Sequence, residues 1–231
     1  MSAFNPQDKR KNSEKYIDAE VQETLTPVVL DEEKLTWKEE KRSKIFECNV
    51  FSVWELYSSA PISQPAKKKT GKYSVIEAKD WAIIIPVYHG TKGRQFVMVW
   101  QWRHGSQSLS LEFPGGIFEP GENPDEAAAR ELQEETGYKA GIIKKIGEFS
   151  PNPAIMSNRV HFFCAENLID TGQQNLDDDE YLEVALVDID EVCRNAGQPP
   201  YIHALMGSAL ALFYKEEKKR SVNEGRVLNS P

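Results

Sequence analysis

The chain has 231 residues, enough for one large domain or for a domain with a smaller addition. At 40% hydrophobic and 28% charged residues it is too apolar to remain unfolded, and 28 Lys plus Arg against 36 Asp plus Glu leave a net charge of −8, which excludes a polyanion clamp held by bulk electrostatics. The longest apolar run, Trp81 to Tyr88, falls far short of the ~20 residues of a membrane helix, and residues 1–20 hold no hydrophobic leader. The reading is therefore cytoplasmic, with no nucleic-acid and no membrane partner. Cys48, Cys164 and Cys193 are odd in number, lack metal-ligand spacing, and read as reduced thiols.

Residues 1–43 are polar and charge-mixed apart from an apolar patch at Leu25 to Leu30, and form an N-terminal extension to which no structure is assigned. Residues 44–77 read as an N-terminal β subdomain. Ile45 to Tyr57, rich in β-branched and aromatic residues, pairs as a hairpin with Tyr73 to Ile76 across a long loop that includes Lys67 to Lys69. The remaining domain, 78–231, opens with a nearly continuous apolar strand at Trp81 to Tyr88, expected to be central, and a strand at Phe96 to Trp102 after the Gly90 to Gly93 turn. Residues 123–136 then turn to strong helix formers. Asn123 caps that helix, Pro124 takes its first position, Glu126 completes a capping box, and Gly137 is the left-handed residue that ends it. Strands follow at Ile142 to Ile146, Val160 to Cys164 and Leu182 to Val187, with further helices near Asp190 to Ala196 and from His203 to Lys219.

Glu131, Glu134 and Glu135 stand at i, i+3 and i+4, so three carboxylates crowd one face of the helix 123–136. Arg130 is spaced to pair with Glu134 and orient it, and Ala127 and Ala128, one turn earlier, leave room above the acids. The preceding segment, Glu112 to Glu122, supplies Gly115, Gly116 and Gly121, whose bare backbone lets a ligand approach. Carboxylates beside open backbone suit a hard cation such as Mg²⁺ (or Mn²⁺) that shares its oxygen ligands with a substrate phosphate. Gly116, five residues, Glu122, seven residues, then Arg130 to Tyr138 resembles the Nudix box, with seven identities at fixed spacing over 23 positions and one departure at Tyr138. The resemblance implies an α/β class, specifically a Nudix-type α/β/α sandwich around a mixed sheet. It makes Glu131, Glu134, Glu135 and the Gly115 carbonyl metal ligands, with Glu134 a ligand or a base.

Gln101-x-Arg103 followed by Leu111 to Gly116, and Pro153 sixteen residues after Gly137, resemble ADP-ribose and ADP-sugar pyrophosphatases of that family. The implied reaction is attack of a metal-activated water on a nucleoside diphosphate sugar, most simply ADP-ribose cut to AMP and ribose 5-phosphate. Glu180 of the Asp177 to Glu180 run is the expected base, with Asp178 second, and Arg130 supports catalysis by positioning Glu134. Arg103, Glu112 and Pro153 are expected at the substrate, and Phe51 or Trp54 is a candidate platform for the base. The resemblance also implies a homodimer completed through the N-terminal strands. His89, His104, His161 and His203 share no ligand spacing and read as structural or surface residues. A different nucleotide substrate (GDP-sugar, UDP-sugar, dinucleoside polyphosphate) and a non-catalytic nucleotide-sugar sensor are the alternatives.

Overall fold

The computed structural model describes residues 32–61, 68–178 and 180–223. It comprises two units. One holds residues 1–38 and 59–69, whose described part includes a single helical turn, α1 (Glu32–Leu35). The other, residues 39–58 and 70–231, carries almost all of the remaining structure.

Three strands come first: β1 (Lys38–Glu47), β2 (Phe51–Pro61) and β3 (Lys68–Ala78), forming a sheet of order β1-β2-β3. The run 45–57 is thus two strands around a turn at Cys48 to Val50, not one. Moreover, β1 starts at Lys38, inside the range read as extension. Every residue of β1 is exposed, so its sequence shows no apolar alternation to betray it. The Leu25 to Leu30 patch and Lys67 lie outside the described residues.

The second sheet is built from β4 (Trp81–Gly90), β5 (Gly93–Arg103), β6 (Ser108–Glu112), β7 (Tyr138–Phe149), β8 (Val160–Asp170) and β9 (Leu182–Asp188). Its order is β6-β5-β4-β8-β7, with β9 also paired to β5. The central strand β4 changes partner halfway. Trp81 to Pro86 run parallel to β8, whereas Val87 to Gly90 run antiparallel to β5. Pro86, which has no N–H to donate, sits at the changeover.

The near-continuous apolarity of β4 follows from cover on both faces. Ala82 and Ile84 pack with Val97 and Phe163 under α2 (Pro124–Thr136), through Ala127, Ala128 and Leu132. Ile83, Ile85 and Val87 pack with Phe96 and Met98 under α4 (Ala204–Asn223), through Met206, Ala209, Leu210 and Phe213. A short α3 (Ile189–Asn195) adds Val192 to this second core. The result is the expected α/β/α sandwich around a mixed sheet.

Candidate active site

The helix that carries the acids is fixed by local chemistry at both ends. Asn123 Oδ1 accepts from the Asp125 and Glu126 amides at 3.1 and 3.0 Å, and the Asn123 amide donates in turn to Glu126 Oε2 at 3.4 Å. Gly137 closes α2 at φ 72°, its amide donating to Gln133 O. Ala127 and Ala128 do not open space over the acids. Both are fully buried against the sheet, and they press the helix close enough to draw Glu131 and Glu135 inward with them.

Opposite the helix, the turn Pro114 to Gly116 is pinned to β4: the Ala82 amide donates to Gly116 O at 2.8 Å and the Ile84 amide to Pro114 O at 2.9 Å. The Gly115 carbonyl takes no part in this pair of bonds. At Gly115 a Cβ would fall on the Ala82 carbonyl oxygen, so only glycine fits. At Gly116 a Cβ would come within 2.6 Å of the Glu131 Cδ, so the second glycine is the floor on which that carboxylate rests.

Burial pushes the Glu135 carboxyl up to about 8, despite the 2.9 Å bond its Oε2 accepts from the Gly115 amide; the charges of Glu131 and Glu180 add to the rise and Arg103 opposes it. Burial likewise lifts Glu131 to about 7 against the pull of Arg130, with Glu134 and Glu180 adding repulsion. Arg130 answers that repulsion. Its guanidinium grips Glu122 with two bonds of 2.9 and 3.0 Å, reaches Glu131 at 2.8 Å and Glu134 at 2.9 Å, and donates to Ile117 O at 3.1 Å. The spacing foretold only the Glu134 partner. Among the described residues no three His, Cys, Asp or Glu side chains are grouped as a ready metal cage, and these acids are bonded instead to Arg130 and to the Gly115 amide.

Glu180 lies exposed on the loop before β9, where its Oε2 accepts from the Asp177 amide at 3.1 Å. Its charge adds to the rise of both Glu131 and Glu135. Asp178 is exposed on the same loop.

Arg103, at the end of β5, makes a two-pronged bond to Glu112 (Nε to Oε1 3.0 Å, Nη2 to Oε2 2.7 Å), and His203 Nδ1 reaches the same Oε2 at 2.6 Å. Burial would raise this carboxyl, which is only 2% exposed, but the His203 and Arg103 bonds hold it down at about 2. Glu112 is thus an anchor for two cationic or potentially cationic side chains. His203, read from sequence as a structural or surface residue, belongs here; it directly precedes α4, ninety-one positions from its partner, and no local pattern links the two. A cavity of about 480 Å³ opens beside this cluster and the Gly115–Gly116 turn.

Three expected substrate residues lie elsewhere within this chain. Phe51 meets Phe46 in a tilted pair with ring centroids 6.0 Å apart, and Arg42 and Lys44 lie over the Trp54 ring at 5.3 and 5.2 Å, both on the three-stranded sheet. Pro153 is exposed on a loop that hydrogen bonds to Ile76 of β3. None of the three lines the cavity.

An α/β/α sandwich with paired acids on a capped helix, facing a diglycine turn, defines a hydrolase of the Nudix type. The chain belongs to the Nudix family, whose NUDIX domain matches residues 79–207, more than half its length. It is 33% identical over 127 residues to the ADP-ribose pyrophosphatase of Bacillus subtilis (strain 168), covering 54% of this chain and 67% of that one. It is 43% identical over 86 residues to the ADP-sugar pyrophosphatase of Mus musculus, covering 37% and 39%. Thus the chain spans between about two fifths and two thirds of the length of these relatives. The crystal structure of an ADP compounds hydrolase superposes with a TM-score of 0.67 at 20% identity, covering 83% of this chain and 97% of that one, which establishes the fold.

Proposed function

We propose that the protein is a Mg²⁺- or Mn²⁺-dependent pyrophosphohydrolase of nucleoside diphosphate sugars, with ADP-ribose, cut to AMP and ribose 5-phosphate, as the first candidate. The carrying observation is the buried pair Glu131 and Glu135, whose carboxyls are driven up to about 7 and about 8 beside a diglycine turn. Arg130 bonds Glu131 but not Glu135, so one guanidinium offsets only part of the charge of the buried pair, and oxygen donors of this kind suit a hard divalent cation. Glu131, Glu134, Glu135 and the Gly115 carbonyl would hold it. When bound, such cations neutralise a diphosphate and make water acidic enough to act as nucleophile.

The chain's own groups divide the remaining work. Arg103, aimed by Glu112, offers its guanidinium to a phosphate. Arg130 sets the rotamers of Glu131 and Glu134. Glu180, a loop acid whose charge raises both members of the pair, would take the proton of the attacking water on its carboxylate. The names of the Bacillus subtilis and Mus musculus relatives support the choice of an ADP-linked sugar. Exposed Ile45, Phe46 and Phe51 on the three-stranded sheet favour association with a second copy as a homodimer, which a solution mass measurement would check.

The test is hydrolysis of ADP-ribose alongside UDP-glucose, GDP-mannose and diadenosine polyphosphates, with and without Mg²⁺. Turnover of ADP-ribose that vanishes on chelation is expected. Turnover of none, with binding retained, would reassign the protein as a nucleotide-sugar sensor.

A further inference from the structure

The last turn of a helix leaves backbone carbonyls with no partner inside it. At the end of α2 the Gly137 amide takes Gln133 O, and the next acceptors are met by the loop between β8 and β9. Thr171 donates to Gly137 O from its amide at 2.9 Å and from its hydroxyl at 2.6 Å. The Gln174 side-chain amide donates to Glu135 O, and the Asn175 backbone amide to Glu134 O at 3.0 Å. A Cβ at Gly137 would stand 3.3 Å from the Gln173 carbonyl, so this loop lies directly against the helix end. Two of the carbonyls it holds belong to Glu134 and Glu135, acids proposed above to hold the cation.

The same loop carries the proposed base. Only Leu176 separates the anchored Asn175 from a closed turn, in which the Glu180 amide donates to Asp177 O at 3.0 Å and the Asp177 amide to Glu180 Oε2 at 3.1 Å. A short path of hydrogen bonds therefore joins acids and base that stand far apart in sequence. Among the described residues, Gln174 is the one side chain of this loop that bonds to a residue of α2, and it is exposed and belongs to neither apolar core. A proton acceptor and the ligands of an ion that activates its water must keep a fixed separation, because a misplacement of about 1 Å can cost ~10²-fold in rate. A loop outside any strand keeps such a separation where it is tied.

We propose that Gln174 is a positioning residue: its bond to the Glu135 carbonyl ties the β8–β9 loop to the C-terminal turn of α2 and so keeps Glu180 in register with the acids of that helix. The proposal rests on the hydrolase reading with Glu180 as base, and deepens it by making the helix that carries the acids also the anchor of the base.

Gln174→Met keeps the length of the side chain and removes the donor. In hydrolysis of ADP-ribose with Mg²⁺ it is expected to lower kcat about tenfold with KM nearly unchanged, a partial displacement because the Thr171 and Asn175 bonds remain. Glu180→Gln removes the group whose placement is at stake, so adding Gln174→Met to it should lower kcat by less than about twofold more. A glutamine that only capped the helix would lower the melting temperature and leave kcat alone. A kcat for Gln174→Met within about twofold of wild type, or the whole tenfold loss repeated in the Glu180→Gln background, would overturn the proposal. Unchanged kcat in Glu180→Gln alone removes Glu180 as base, and the role of Gln174 with it, while the hydrolase reading stands. If the wild type hydrolyses nothing, the hydrolase reading fails separately and amide hydrogen exchange decides the tie. Exchange over residues 171–180 about fivefold faster in Gln174→Met than in wild type supports it, and equal exchange refutes it.

Discussion

Glu135→Gln provides the most direct probe of the acidic helix, because it removes a charge while preserving shape. The amide oxygen of glutamine can still accept the 2.9 Å bond from the Gly115 amide, so the turn keeps its tether. What disappears is the cost of holding a buried carboxylate whose ordinary value of 4.5 is pushed to about 8. A folded value above the unfolded one means that stability is full below about pH 4.5 and is lost as the pH rises toward 8. At 1.36 kcal/mol for each tenfold change in the proton equilibrium, the loss reaches roughly 4 kcal/mol near pH 8, an upper figure since Glu131 titrates in concert with it. At ~2–4 °C per kcal/mol for a chain of this size, the variant should melt about 10 °C higher than the wild type at pH 8 in chelator. At pH 4 the two should coincide. Thermal unfolding followed by circular dichroism in EDTA at both pH values gives the comparison, and Mg²⁺-dependent hydrolysis by the variant should be lost. A variant that melts below the wild type at pH 8 would show that the carboxylate is needed by the fold, and the reasoning from burial would be wrong.

Glu131→Gln should abolish turnover while the thermal unfolding curve in chelator stays at or above that of the wild type; activity retained within tenfold would remove Glu131 from the cation site. Gly116→Ala should displace the Glu131 carboxylate and cut kcat at least tenfold in a protein that still folds, whereas Gly115→Ala, which meets the Ala82 backbone, should cost ~1–3 kcal/mol of stability or more, read by denaturant unfolding. Glu180→Gln should lower kcat ~10²-fold or more with KM nearly unchanged, and Asp178→Asn should lower it little; the reverse order in steady-state kinetics would transfer the base to Asp178.

The features legible in the sequence were those set by neighbours along the chain. Asn123, Glu126 and Gly137 determine the ends of α2 through bonds that span three or four residues, and the glutamate spacing places the acids on one face whatever the helix packs against. The both-sides burial of β4 was legible because Ala82 to Val87 are apolar at odd and even positions alike. By contrast β1, with the sequence Lys-Glu-Glu-Lys-Arg-Ser-Lys-Ile-Phe-Glu, is a strand only because β2 pairs with it, and β6 is too short at five residues to declare a period. The inward draw of Ala127 and Ala128 is not legible in the sequence, because small residues mark close packing and open space equally well. The Glu112–His203 pair joins β6 to α4 across most of the domain, and contacts of that kind leave no mark on either segment.

Arg130 gives the acidic pocket a resident positive charge that arrives with the chain. A divalent ion entering this pocket does not meet bare carboxylates; it competes with a guanidinium that already holds Glu131 and Glu134. On the proposed reading, loading would be an exchange of one cation for another, and the affinity would be the difference between two attractions. Such a site would release its ions readily and track the free divalent concentration around it, while the guanidinium spares the folded chain the full repulsion of its own acids.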